Sequence, residues 1–228
     1  MELRLADRVK DLKGNAIREI FKLLENPEVI SFAGGNPAPE TLECGRVRAF
    51  ADKVLSAPDS WKILQYGSTE GYLPLRKSML KYVERCGIFG MQLENNLIVS
   101  GGQQAIDLTL KAFVNKGDTV LVEDPTYLAF LHIAKTYEAN IVGVASEDDG
   151  FDLADLEDKM KKYRPKVLYA VPNFSNPTGK TLPAEKRRAI AALAEKYDVI
   201  VLEDDPYREL RYSGQPQPAI KSFDTSGH

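Results

Sequence analysis

Short runs of consecutive apolar residues alternate along this chain with longer stretches in which apolar positions recur every three or four residues. The runs cover residues 96–100, 119–123, 140–145, 166–171 and 199–203, and most are rich in Val, Ile and Leu with no polar alternation. Strands of that kind are buried on both faces. The periodic stretches cover residues 103–115, 128–137, 153–163 and 183–197, the spacing of helices with one apolar face. In the last, Ala189, Ile190, Leu193 and Ala194 line one face, while Glu185, Lys186, Arg188 and Lys196 fall largely off it. Asp152 ahead of Leu153, and Thr181 or Leu182 ahead of Pro183, mark helix starts, the second with proline in the first turn. Regular alternation of strand and helix predicts an α/β fold, three layers deep (α/β/α), with a mostly parallel sheet.

The first ninety residues have a different character. Residues 15–24, 42–55 and 72–86 carry helical spacing, whereas residues 31–39, SFAGGNPAP, form an extended segment rich in glycine and proline. Such a segment is costly to order unless it contacts something. Residues 1–39 therefore read as an N-terminal helical arm and residues 40–228 as a large domain.

Composition narrows the function classes. The 228 residues hold 30 Lys+Arg against 33 Asp+Glu, a formal net charge of -3, which argues against a nucleic-acid partner. A hydrophobic content of 43% with 28% charged residues lies far from the composition of disordered chains. Cys44 and Cys86 lie far apart with no CxxC spacing, and His132 and His228 are the two imidazoles, so neither a disulfide framework nor a zinc site is expected. Residues 1–13 alternate charged and apolar side chains and lack the apolar stretch of a signal peptide. No run approaches the roughly 18 apolar residues of a membrane span. A soluble, cytoplasmic chain with no membrane partner is the expectation.

Two motifs prove to be decoys. Gly179-Lys180-Thr181 ends like a phosphate-binding P-loop, but Phe174 stands where that loop requires its first glycine. Glu203, Asp204 and Asp205 form an acidic cluster with no accompanying phosphate-cradling loop, so no metal site is assigned. Neither GxSxG nor GxGxxG occurs. What remains is polar chemistry at four strand ends: Ser100 to Gln104, Asp124 to Tyr127, Asn173 to Gly179, and Asp204 to Tyr207. Open parallel sheets bind ligands at the carboxyl ends of their strands. Gly101 and Gly102 before a helix offer backbone N–H groups to an anion such as phosphate, or simply make a tight turn. Tyr127 presents a ring to a flat ligand, or packs in the core. Asp204 and Tyr207 are spaced to hydrogen-bond a heteroaromatic nitrogen and a phenolic oxygen, though Asp204 also suits a turn before Pro206.

Six strings in order carry a family resemblance: ISFAGGNPAPETL (30–42), LQYGSTEGYLPLR (64–76), VSGGQQAIDL (99–108), VEDPTYLAFL (122–131), VPNFSNPTGKTL (171–182) and VLEDDPYREL (201–210). They span nearly the whole chain, which resembles the N-terminal portion of class I/II aminotransferases. These are fold-type I enzymes dependent on pyridoxal 5'-phosphate, and the resemblance is particularly to the branch that holds the aminoadipate, kynurenine and related aromatic or branched-chain aminotransferases. The resemblance implies that Gly101, Gly102 and Gln103 hold the cofactor phosphate and that Tyr127 stacks on its ring. It also implies that Asn176 and Tyr207 bond the ring hydroxyl, and that Asp204 pairs with the protonated ring nitrogen. Gly35 would lie beside the substrate carboxylate and Tyr66 would reach the neighbouring subunit's site, which implies a homodimer acting on an amino acid and a 2-oxo acid.

One departure is large. In the family the lysine that carries the cofactor lies some ten residues beyond the region 222–228, where this sequence stops, and no lysine present matches its position. The chain by itself is then expected to be an incomplete large domain that retains part of the cofactor pocket and has little or no transaminase activity. Two strands of the family sheet would also be missing between residues 96–100 and 199–203, leaving edges that favour association. Alternatives on the same scaffold are a carbon-sulfur lyase, a decarboxylase, or a non-catalytic regulatory module.

Overall fold

The computed structural model describes residues 4–10, 30, 35 and 37–227. It divides into two compact units, one comprising Met1–Lys10 with Glu70–His228 and the other Asp11–Thr69. The expected helix at residues 15–24, and most of the glycine- and proline-rich segment 31–39, lie outside the described residues.

The first unit is built on a four-stranded parallel sheet. Its strands are β1 (Thr119–Glu123), β2 (Asn140–Val144), β5 (Val167–Ala170) and β6 (Ile200–Glu203), in the order β2-β1-β5-β6. A small antiparallel pair, β3 (Ser146–Glu147) and β4 (Gly150–Phe151), stands apart from it. The helices of this unit are α1 (Asp7–Lys10), α3 (Leu73–Arg85), α4 (Gly102–Phe113), α5 (Leu128–Thr136), α6 (Leu153–Tyr163) and α7 (Ala184–Tyr197).

Successive strand residues point to opposite faces, and the core divides accordingly. Leu121, Val144, Leu168 and Ala170 pack on one face with Leu156 and Met160 of α6 and Ile190 and Ala194 of α7. Val120, Val122, Val167 and Tyr169 pack on the other with Ile106 and Leu110 of α4 and Phe130 and Ala134 of α5. This is the three-layer α/β/α arrangement that the alternating runs predict. Each fully buried Leu or Phe contributes about 2 kcal/mol by leaving water. The central strands β1 and β5 are buried throughout, whereas β6 at the edge is half-buried.

Local signals place the helix ends. Asp152 caps α6 as its sequence position predicts, its Oδ1 accepting from the amides of Ala154 at 2.9 Å and Asp155 at 3.1 Å. Pro183, not Thr181 or Leu182, is the cap residue of α7, and it makes no side-chain cap bond. Lys186 is a second correction: expected off the packed face, it is buried, with Nζ bound to Glu147 at 2.6 Å, Asp149 at 2.5 Å and the Phe151 carbonyl at 2.8 Å. The β3–β4 hairpin folds over that position and supplies the acceptors a buried ammonium needs.

The expected strand at residues 96–100 does not join the sheet. The segment is extended without a ladder, Ile98 N donates to the Glu70 carbonyl at 3.0 Å, and Leu97 is exposed. An apolar run becomes a strand only beside a ladder partner, and among the described residues none flanks it.

In the second unit, α2 (Cys44–Leu55) follows a short turn of 3-10 helix at Pro39–Thr41 and precedes another at Ser60–Leu64. It buries no residue, and Val47, Phe50, Val54 and Trp61 are all exposed.

Candidate functional site

Because the four main strands are parallel, their carboxyl ends lie on one edge of the sheet, where open α/β sheets place ligands. β1 leads through a cis Asp124–Pro125 bond to Tyr127, the cap residue of α5. β5 leads into a loop over residues 171–182, and β6 into Asp204, Asp205, Pro206 and Tyr207. These ends and the start of α4 enclose a cleft of about 230 Å³ lined by Gly102, Gln103, Tyr127, Asn176, Asp204 and Tyr207. Ile106, Val171 and Pro206 supply its apolar wall. Six of the residues singled out in the sequence therefore meet in one place.

Gly101 caps α4 with φ at +87° and ψ at 169°, a backbone that side chains other than hydrogen rarely adopt. A Cβ added at Gly102 would meet nothing within 4 Å, so open space lies against the first turn of α4. That turn has no side-chain cap bond, and its amides favour an anion. Gln104 braces the turn from behind, its Oε1 accepting from Ser100 N at 2.6 Å. Across the cleft, Asn176 Nδ2 donates to Tyr207 Oη at 3.4 Å.

Asp204 is set by the core. Its Oδ2 accepts the Tyr169 hydroxyl at 2.8 Å, and Tyr169 stacks on Phe130 with ring centroids 4.0 Å apart. Burial pushes the Asp204 carboxyl above the usual carboxylate range, with the Tyr169 bond opposing and the Asp205 charge adding to the rise. The same burial, joined by Asp204, pushes the Tyr169 phenol up.

The acidic cluster does not act as a unit. Glu203 accepts the amides of Ile220 at 2.9 Å and Lys221 at 3.1 Å. Asp205 accepts from Asn173 Nδ2 at 2.7 Å and Arg208 Nε at 2.5 Å. Among the described residues no group of three or more His, Cys, Asp or Glu is arranged to hold a metal ion.

The loop carrying Asn176 is pinned by Arg187, which the sequence did not mark, and through Lys180. Arg187 is fully buried and donates to the carbonyls of Leu182, Pro172 and Pro218 and to Asn173 Oδ1, all at 2.8–2.9 Å. Burial pulls its guanidinium down to about 10. On the other side Lys180 Nζ donates to Ser146 Oγ at 3.0 Å, and Ser146 to Glu123 Oε1 at 2.6 Å. In the sequence Arg187 sits within EKRRAI, which reads as a solvated charge run, and Tyr169 within an apolar run, which reads as plain core.

Gly35 and Tyr66 belong to the second unit. Both are exposed.

A parallel α/β sheet with an open helix start and a half-buried carboxylate at one edge defines a class of fold. The chain belongs to the family Aminotransferase class I and II, whose family model matches residues 27–225. It is 38% identical to the aromatic-amino-acid aminotransferase 1 of Thermococcus litoralis over 231 residues, covering 99% of this chain and 55% of that protein. The crystal structure of Pyrococcus horikoshii kynurenine aminotransferase superposes with a TM-score of 0.90 at 40% identity, covering 98% of this chain and 56% of that one. The α-aminoadipate aminotransferase of Thermus thermophilus, complexed with N-(5'-phosphopyridoxyl)-L-leucine, superposes with a TM-score of 0.84 at 32% identity, covering 96% of this chain and 53% of that one. The chain thus spans about half the length of the relatives it matches. Among the described residues no helix is long and apolar enough to cross a membrane.

Proposed function

We propose that this chain carries the larger part of the pyridoxal 5'-phosphate site of an aminotransferase, which moves an amino group between an amino acid and a 2-oxo acid. The observation that carries the reading is the cleft, which joins an open glycine-flanked helix start to an aromatic ring and a half-buried carboxylate. Those residues fit the cofactor: an anion cradle for its phosphate, Tyr127 for its ring face, and Asp204 for its ring nitrogen.

When bound, pyridoxal phosphate supplies a ring that draws electron density from the substrate's α-carbon. Asp204 would hold a proton at the ring nitrogen through a charge-assisted bond. The α4 amides at Gly102 and Gln103 would bind the phosphate with no side chain in the way, and Tyr127 would orient the ring. Asn176 and Tyr207, already within 3.4 Å of each other, would bond the ring hydroxyl together. We read residues 1–39 as an arm and 40–228 as the cofactor-binding domain, and we assign substrate contact to Gly35 and Tyr66 in a cytoplasmic homodimer. No lysine lines the cleft among the described residues, and Lys180 is engaged with Ser146. We assign the lysine that carries the cofactor to no position of this chain, following the family resemblance, and expect the chain alone to show little or no turnover.

Absorbance and fluorescence titration with pyridoxal phosphate tests the reading. The wild-type chain should bind saturably and Asp204→Ala should lose at least tenfold in affinity, the scale of one charge-assisted bond. Equal affinities would refute the assignment of the cleft. Turnover of an amino acid with 2-oxoglutarate by the purified chain would refute the assignment of no lysine.

A further inference from the structure

We propose that Tyr169 is a positioning residue for this site: its hydroxyl holds Oδ2 of Asp204 and thereby decides which carboxylate oxygen meets a ligand in the cleft. The inference rests on the reading of the cleft as a cofactor pocket. Tyr169 lies on β5, one strand in from the edge strand β6 that delivers Asp204, and is fully buried. Its ring stacks on Phe130 at an interplanar angle of 12°, so the hydroxyl is delivered from a side chain with little freedom to turn. It donates to Oδ2 at 2.8 Å. Among the described residues no protein donor reaches Oδ1, while Asp204 lines the cleft. One oxygen is thus anchored in the protein and the other is left for the ligand. Without the anchor the carboxylate can rotate, and a bond to a ring N–H would have to be made by an unfixed group.

The charged and titratable surroundings of the pair are few. Asp205 follows Asp204 directly and is itself held by Asn173 and Arg208. Tyr127 and Tyr207 are the phenols that act on Tyr169 from the neighbouring elements. None of these donates to Asp204, so among the described residues the Tyr169 hydroxyl is the one side-chain bond favouring the ionised carboxylate against burial.

The test uses Tyr169→Phe, which keeps the ring and its stacking, beside Asp204→Asn. With the chain labelled at aspartate γ-carbons, the Asp204 carboxyl is assigned by its loss in D204N and titrated by carbon NMR without cofactor. In Y169F its midpoint should rise by about one pH unit, as expected for loss of one donor to a charged acceptor. Pyridoxal phosphate affinity should fall by about fivefold at a pH below the measured Y169F midpoint and by less at a pH well above it, where the carboxylate is ionised again. An unchanged midpoint, or an affinity loss equal at both pH values, would overturn the positioning role. If the midpoint rises but D204N binds pyridoxal phosphate like wild type, the cofactor reading of the cleft fails instead, and the role falls with it.

Discussion

Replacing Arg187 by Met should be among the most destabilising single changes in this chain. The thioether fills much of the stem's volume but removes four hydrogen bonds, to Leu182, Pro172 and Pro218 carbonyls and Asn173 Oδ1. Two of the acceptors keep another tie: the Pro172 carbonyl also accepts from Leu182 N at 2.9 Å, and Asn173 Oδ1 also accepts from Arg211 Nη2 at 3.5 Å. The carbonyls of Leu182 and Pro218 lose the guanidinium outright. Each buried acceptor left bare costs about 1–3 kcal/mol, and relief from burying a cation offsets part of the sum. The net loss should be about 3 kcal/mol, a large share of the ~5–15 kcal/mol that holds a typical protein together. At roughly 2–4 °C per kcal/mol for a chain of this size, Tm should fall by about 6–12 °C. Urea unfolding followed by circular dichroism would measure it, with Arg188→Met as the control. Arg188 is exposed and lies over the Phe223 ring at 5.0 Å, worth about 0.5–1 kcal/mol. Arg187→Lys should recover only part of the loss, because an ammonium cannot span acceptors arranged for a planar fork. If R187M is no less stable than R188M, the buried network is not what holds the loop.

Three further outcomes follow from particular contacts. Glu157 accepts from Lys196 at 2.8 Å and Tyr197 at 2.7 Å, which hold its carboxyl down at about 2 against an ordinary 4.5. A depressed folded value means that its stabilisation is present above about pH 4.5 and lost as pH falls toward about 2. Glu157→Gln should flatten acid unfolding across that window, and superposable acid curves would contradict the pairing. Asp152→Ala should cost about 1 kcal/mol by uncapping α6, read as a lower urea midpoint with unchanged slope. Gly101→Ala should cost about 1–3 kcal/mol, since the added Cβ meets a backbone region open essentially to glycine. It should also weaken pyridoxal phosphate binding, and a variant as stable and as tight as wild type would show that the turn before α4 relaxes freely.

Much of this fold was legible before any coordinates. Leu153–Tyr163 is a helix over the residues its spacing predicts, capped by the aspartate expected to cap it. The segment Thr119–Glu123, with its apolar centre Val120-Leu121-Val122, is a strand buried along its whole length. Three strand ends and the glycines before α4 carry enough glycine, aromatic and carboxylate chemistry in the sequence to point to one cleft. Other features were not legible, and the failures share a cause. Residues 96–100 have the composition of a strand, but pairing depends on what lies alongside. Lys186 and Arg187 have the composition of surface charge, but their burial depends on acceptors 14 to 39 residues away in sequence, apart from Leu182.

By itself the sequence determined periodicity, caps, turn residues and the order of the motifs, because each of these is an interaction between neighbours in the chain. The tertiary structure alone decided which strand became an edge, which charges could be buried, and that the hydroxyl of Tyr169 would reach Asp204 across 35 residues. A buried polar group survives only where distant segments bring it a partner, and a linear pattern does not record which segments will meet.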